Sequence, residues 1–405
     1  MVNNTASTKQ MTCPNCGATS LSAFYEVQNV PVHSVLLLET LDEAVSYPRG
    51  DIRLGFCTTC GFITNMAFDP EVHEYSAKYE ATQGYSSTFN AFHQRLAQSL
   101  VDRYHLQGKS IIEIGCGQGE FLELICKLGS NTGIGFDPAY VPERSQVKFN
   151  QNITFIQDFY SEKYAGYQAD FICCKMTLEH IHQTASFLNT VRRSIGDLKD
   201  TIIFFQVPNG QYVFGETAFW DIYYEHCSYF SKGSLARLFR NTGFEIIDLW
   251  TDYDDQYLMI EALPGGQKKL EPLPQEESPA EMAKVVEDFL FNYARETAAW
   301  QARLRSAKEN QKKIVLWGGG SKGVAFLTTL GITTAEIEYV VDINPHKAGT
   351  YMAGTGQKIV TPDFLPSYQP DTVIVMNPIY CREISAMLEQ LGLTADLIGV
   401  DSIEG

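Results

Sequence analysis

A chain of 405 residues has room for two to three domains with real apolar cores, and its 44% hydrophobic and 20% charged shares are ordinary for a soluble globular protein. The formal net charge of −17 argues against non-specific binding to nucleic acid or to anionic membranes. No apolar run approaches the roughly 20 residues of a membrane span, and the polar opening segment Met1–Lys9 predicts a cytoplasmic protein.

Residues 1–68 read as a small metal module. Cys13-Pro14-Asn15-Cys16-Gly17 and Cys57-Thr58-Thr59-Cys60-Gly61 are two thiol knuckles separated by 40 residues. A Cys-x-x-Cys pair sets two thiolates on one tight turn, and two pairs supply four soft ligands for a tetrahedral zinc. Four cysteines leave no open position, so Cys13, Cys16, Cys57 and Cys60 predict a structural metal rather than a catalytic one. Cys173 and Cys174 lie in an apolar run and read as buried small hydrophobes.

Residues 69–265 read as an α/β domain. A helix is expected over Phe89–Tyr104, then strands at Ser110–Ile114, Thr132–Phe136, Ile153–Ile156, Asp170–Cys174 and Thr201–Val207, with a helix at Glu120–Leu128. That alternation predicts a parallel sheet covered on both faces. Glu113-Ile114-Gly115-Cys116-Gly117-Gln118-Gly119 joins the first strand to its helix, and glycines there let a turn pass close to a ligand. Asp137 ends the second strand, where a carboxylate suits both hydroxyls of a ribose. Asp158 ends the third, where it suits an adenine amino group. The loop resembles the S-adenosylmethionine loop of class I methyltransferases. The resemblance, with Lys175-Met176-Thr177-Leu178-Glu179-His180 at the fourth strand, implies that Glu113, Gly115, Gly117, Gly119, Asp137, Asp158 and Lys175 hold that cofactor.

After the fifth strand comes Phe219-Trp220-Asp221-Ile222-Tyr223-Tyr224-Glu225-His226-Cys227-Ser228-Tyr229-Phe230. A phenol, a carboxylate and an imidazole side by side can serve as donor, orienting acid and base. Their place at the C-terminal edge of the sheet is where open α/β sheets hold ligands.

Residues 266–405 read as a second Rossmann-like unit. A linker from Leu263-Pro264-Gly265-Gly266 to Pro279 leads to a long helix, Ala280–Asn310. Strands are expected at Ile314–Trp317, Ile337–Val341 and Thr372–Met376, with a helix at Val324–Leu330. Gly318-Gly319-Gly320-Ser321-Lys322-Gly323, with Asp342 nineteen residues on, is a dinucleotide fingerprint, which read alone predicts NAD. Lys322 and Lys347 offer the local positive charge that a diphosphate needs.

The whole series resembles the sugar-nucleotide C-methyltransferases of deoxysugar biosynthesis. The residues carrying the resemblance are the four cysteines, Glu113 to Gly119, Tyr223-x-Glu225-His226-x-Ser228-Tyr229-Phe230-Ser231, and Trp317 to Gly323. It implies His226 as the base, with Glu225 orienting it and Tyr223 or Tyr79 facing the enolate oxygen; Tyr75 is second to Tyr79. It also implies that the second Rossmann-like unit holds a nucleotide diphosphate sugar, with Tyr224, Ser321, Lys322, Asp342, Lys347 and Asn377 as its contacts. Asn377-Pro378-Ile379-Tyr380 departs from the Trp-Asn segment of that family. The expected protein is a monomer or homodimer that uses S-adenosylmethionine and a structural zinc. The rival readings are a methyltransferase acting on oxygen or nitrogen of another small molecule, and an assembly protein whose nucleotide folds only bind.

Overall fold

The computed structural model describes residues 11–72, 78–144, 151–265 and 271–402. Tyr75 lies outside the described residues.

Three sheets organise the described chain. The first is antiparallel, in the order Leu21–Pro31, Arg49–Cys57, Ile63–Asn65, Ser228–Tyr229. Its fourth strand comes from far along the chain, from within the aromatic segment.

The second sheet has seven strands, in the order Phe244–Asp252, Tyr257–Pro264, Ile202–Pro208, Phe171–Lys175, Ser110–Ile114, Thr132–Phe136, Ile153–Ile156. Its last five strands in that order run parallel, as the alternating pattern predicts. The hairpin Phe244–Asp252/Tyr257–Pro264 adds an antiparallel edge that the sequence reading did not anticipate. Leu263 and Pro264, expected to open a linker, pair instead with Glu245 and Phe244. Proline is tolerated at such a strand end because it need not donate to the ladder there. The chain order reverses between Ser110–Ile114 and Phe171–Lys175, which opens a crevice beyond the carboxyl ends of those strands.

The third sheet is fully parallel, in the order Lys358–Val360, Tyr339–Val341, Ile314–Trp317, Thr372–Val375, Asp396–Gly399. Its helix begins at Ser321, earlier than expected, because Gly320 takes the N-cap position and Lys322 falls in the first turn. The order reverses between Ile314–Trp317 and Thr372–Val375.

The 31-residue helix Pro279–Glu309 ties these layers together. Ser278 and Glu281 form a reciprocal cap with proline at the first turn, a strong start signal. Its early residues Met282, Val286 and Phe289 pack into the core of the first sheet, and Trp300 and Leu304 pack into that of the third. Phe219 and Trp220 are buried in the latter core too, with the Phe219 ring 6.1 Å from that of Phe326. No helix among the described residues is long and apolar enough to cross a membrane.

Candidate active site

Both glycine loops sit at the reversal points of their sheets. In the first, Gly115, Gly117 and Gly119 all have positive φ, at 71°, 54° and 88°. A Cβ at Gly115 would lie 2.0 Å from Thr177 Oγ1, so only glycine lets the loop pass there. A Cβ at Gly117 would meet nothing within 4 Å, so the turn borders open space in which a ligand can lie.

Asp137 accepts hydrogen bonds from the Gly117 and Ala139 amides, both at 2.8 Å, and so braces the loop while keeping lone pairs for a ligand hydroxyl. Burial pushes its carboxyl up. Asp158 is more exposed and holds Lys163 and the Tyr164 hydroxyl. Glu113 lies behind the loop, 2% exposed, with one carboxylate oxygen unpartnered. Burial raises it, and the neighbouring Lys175 opposes that rise. Lys175 is also buried behind the loop, its Nζ 3.0 Å from His93 Nε2 and 3.9 Å from the Phe121 ring centroid.

A cavity of about 320 Å³ lies between the second and third sheets. From one side it is lined by Tyr79, Glu179, His180, Asp221, Tyr223, His226 and Gln256. From the other it is lined by Gly318, Ser321, Lys322, Asp342, Lys347, Asn377 and Tyr380. Eight expected site residues thus meet in one space: Tyr79, Tyr223, His226, Ser321, Lys322, Asp342, Lys347 and Asn377.

Tyr223 Oη and His226 Nε2 are 2.9 Å apart. Burial, with His180 and Lys322 nearby, holds the His226 imidazole well below its usual value, so it is neutral at physiological pH. His180 bonds the Glu225 carbonyl through Nδ1 at 3.0 Å, and burial brings it down to about 4. Tyr79 and Tyr223 are pushed up by burial and stay protonated.

Lys322 Nζ reaches Asp221 Oδ2 at 2.7 Å and Gln256 Oε1 at 3.0 Å, and Gln256 donates to Asn377 Oδ1 at 2.9 Å. The two halves of the cavity are therefore joined by a polar bridge. Lys347 Nζ lies 3.2 Å from Asp342 Oδ2, whose oxygen also accepts from the Gly319 amide at 3.0 Å.

Two expectations are corrected. Glu225 does not orient His226. Its carboxylate accepts from the Ser34 amide at 3.0 Å and the Ser34 hydroxyl at 2.5 Å, and meets His33 Nδ1 at 3.3 Å. Burial alone would raise that carboxyl, but the His33 and Ser34 bonds outweigh it and leave it below its usual range. The acid beside His226 is Glu179, with Oε1 4.0 Å from Nε2. Nor does Tyr224 face the cavity. Its ring is 1% exposed in the core of the first sheet, 5.4 Å from Phe68, and its hydroxyl accepts from the Asp69 amide. An apolar bed that includes Ile52, Phe56 and Ile63 favours burying that ring over exposing it to a polar ligand.

Asp221, Glu179 and Gln256 are among the cavity residues not singled out from sequence. Asp221 and Glu179 lie inside quoted segments, and for Glu179 the available signal was an acid four residues past the end of the strand Phe171–Lys175. Gln256 sits on the unanticipated hairpin and carried no local signal.

The four knuckle sulfurs lie within 4.8 Å of one another, with Cys13–Cys60 at 3.8 Å and Cys16–Cys57 at 3.7 Å. Ligands about 2.3 Å from a tetrahedral zinc are separated by about 3.8 Å, so these thiols fit such an ion. Asn15 Nδ2 and Ser20 Oγ approach the sulfurs of Cys60 and Cys57 and can share the charge of thiolates.

Residues 89–249 match the methyltransferase domain family, and residues 265–394 match the C-methyltransferase C-terminal domain family. C-methyltransferase NovU of Streptomyces niveus is 24% identical over 351 residues, covering 81% of this chain and 80% of that protein. A ubiquinone biosynthesis O-methyltransferase of Escherichia coli O127:H6 is 28% identical over 151 residues, but those cover only 34% of this chain and 62% of that enzyme. Magnesium protoporphyrin IX methyltransferase of Synechocystis PCC 6803 superposes on 46% of this chain at a TM-score of 0.35 and 15% identity, too distant to carry more. A methyltransferase domain followed by a C-methyltransferase C-terminal domain is the pairing these matches describe, with the cavity between the two, and the chain is an S-adenosylmethionine-dependent methyltransferase similar to known C-methyltransferases.

Proposed function

We propose that this enzyme methylates a carbon beside the ketone of a nucleotide-linked keto-sugar, through an enolate that a protein base generates. The observation that carries this reading is a cavity lined by both halves, with His226 at one wall and a glycine loop, a helix N-terminus and two lysines at the other. In this reading Asp137 accepts from the cofactor ribose, Asp158 from its adenine, and Gly115 to Gly119 let it approach.

S-adenosylmethionine supplies the electrophilic methyl group when bound. His226 takes the proton beside the ketone at Nε2, where the neutral imidazole has a lone pair to offer. The substrate enters between Nε2 and the Tyr223 hydroxyl, and that hydroxyl turns to the ketone oxygen as charge develops. Tyr79 stands on the same cavity and is the alternative donor. The helix Ser321–Leu330 points its first amides at the nucleotide diphosphate, with Lys322 and Lys347 beside them. In the ligand-free protein Asp221 and Asp342 balance those two lysines, so the diphosphate competes with carboxylates already in place.

Three outcomes are expected. Asp137→Ala weakens S-adenosylmethionine binding by about 1.5–3 kcal/mol, the range for hydrogen bonds to a charged group; unchanged affinity in calorimetry would remove Asp137 from the cofactor site. His226→Asn still binds both ligands but loses about 10²–10⁴-fold in turnover, the usual contribution of a general base. It also stops exchange of the substrate α-proton with deuterated water, and exchange at the parent rate would place the base elsewhere. Metal analysis of the purified protein gives one zinc per chain, held by Cys13, Cys16, Cys57 and Cys60, and Cys60→Ser loses both the zinc and thermal stability. A metal-free parent of equal stability contradicts the structural role.

A further inference from the structure

Glu179 occupies the turn Leu178–His180 that follows the strand Phe171–Lys175, at the ligand-binding edge of the seven-stranded sheet. It is 1% exposed, yet it lines the cavity. Neither carboxylate oxygen has a hydrogen-bond partner. Among the described residues the one basic nitrogen within 4.0 Å is His226 Nε2, and that imidazole is neutral. Tyr79, His180, Asp221 and Tyr223 are other ionisable groups on this wall, and Asp221 is paired with Lys322 from across the cavity.

An ionised carboxylate in such a place would forfeit its hydration with no donor and no cation to replace it. The group avoids that cost by keeping its proton. Burial pushes the Glu179 carboxyl up to about 8, in line with this argument. A neutral carboxyl has one O–H to donate, and no protein acceptor takes it here.

We propose that Glu179 is a further catalytic residue, a neutral acid that donates a hydrogen bond to the substrate's ketone oxygen while His226 removes the neighbouring proton. The inference rests on the keto-sugar reading above. The 4.0 Å between Glu179 Oε1 and His226 Nε2 lets the two groups address adjacent substrate atoms. The electron pair of the broken C–H bond moves into the new C=C bond, and the carbonyl π pair moves onto oxygen. The removed proton stays on His226, and the Glu179 proton is shared with the oxygen. When the carbon takes the methyl group, C=O reforms and the shared proton returns to Glu179. The His226 proton then leaves to solvent through the cavity. A buried carboxylic acid is a stronger donor than the phenols of Tyr79 and Tyr223, whose own burial pushes them further up.

The test uses the full chain and has a ligand-free arm and a kinetic arm. Difference infrared spectra of the parent against Glu179→Gln at neutral pH should show the carbonyl stretch of one protonated carboxyl; an ionised carboxylate difference overturns the proposal. The kinetic arm uses thymidine diphosphate 4-keto-6-deoxyglucose as the probe, reading α-proton exchange and methyl transfer. Glu179→Gln keeps an N–H donor and should stay within about tenfold of the parent, whereas Glu179→Leu should lose about 10²–10³-fold with both ligands still bound. Equal loss in the two variants means that a negative charge is needed and overturns the neutral acid, as does a Leu variant at the parent rate. If chelation abolishes exchange and a divalent cation restores it, Glu179, His180 and His226 form a metal centre and the assignment also falls. A parent that binds the probe without any exchange counts against the keto-sugar reading, while the infrared arm still decides the state of Glu179.

Discussion

The active cavity depends on one stretch of chain, Phe219–Phe230, being held by three packed layers at once. Phe219 and Trp220 are fixed in the core of the third sheet, and Tyr224 is fixed in the core of the first. Ser228 and Tyr229 form the fourth strand of that first sheet, and Phe230 packs on Phe62 with ring centroids 5.2 Å apart. Tyr223 and His226 lie between these anchors. Emptying any one aromatic anchor costs about 3–5 kcal/mol by analogy with other cores, so His226 cannot wander cheaply. This is preorganisation by burial: the packing fixes Tyr223 and His226, the proposed donor and base, before a ligand arrives.

The same burial sets the chemistry. Removing water from the wall of the cavity leaves His226 neutral and favours the protonated form of Glu179. The imidazole and the carboxyl then stand 4.0 Å apart with no net charge between them. The opposite wall keeps its charges but balances each lysine with an aspartate. A protein of net charge −17 can therefore offer an anionic ligand a local site without a broad positive face.

What was legible in the sequence was local. The cysteine knuckles, both glycine loops and the alternation of strands and helices are short-range patterns, and each appears where its spacing says. What was not legible depended on distant partners. Glu225 is adjacent to His226 in sequence, but its carboxylate is taken by Ser34, 191 residues away. Tyr223 and Tyr224 are indistinguishable by type, and only the first sheet's apolar face separates their fates. Gln256 reaches the site on a hairpin whose register is set by pairing with Ile202–Pro208. Glu179 was visible as a residue but not as an orphan, because orphanhood is a property of the surroundings.

The central claim is that one cavity brings a methyl donor to a carbon of a nucleotide-linked ketone. It is tested most directly by incubating the enzyme with S-adenosylmethionine carrying a ¹³C-methyl group and thymidine diphosphate 4-keto-6-deoxyglucose, then taking the carbon NMR spectrum of the product. The account predicts a labelled methyl bonded to the ring carbon beside the ketone, with the diphosphate intact. A labelled methyl on oxygen or nitrogen would contradict it.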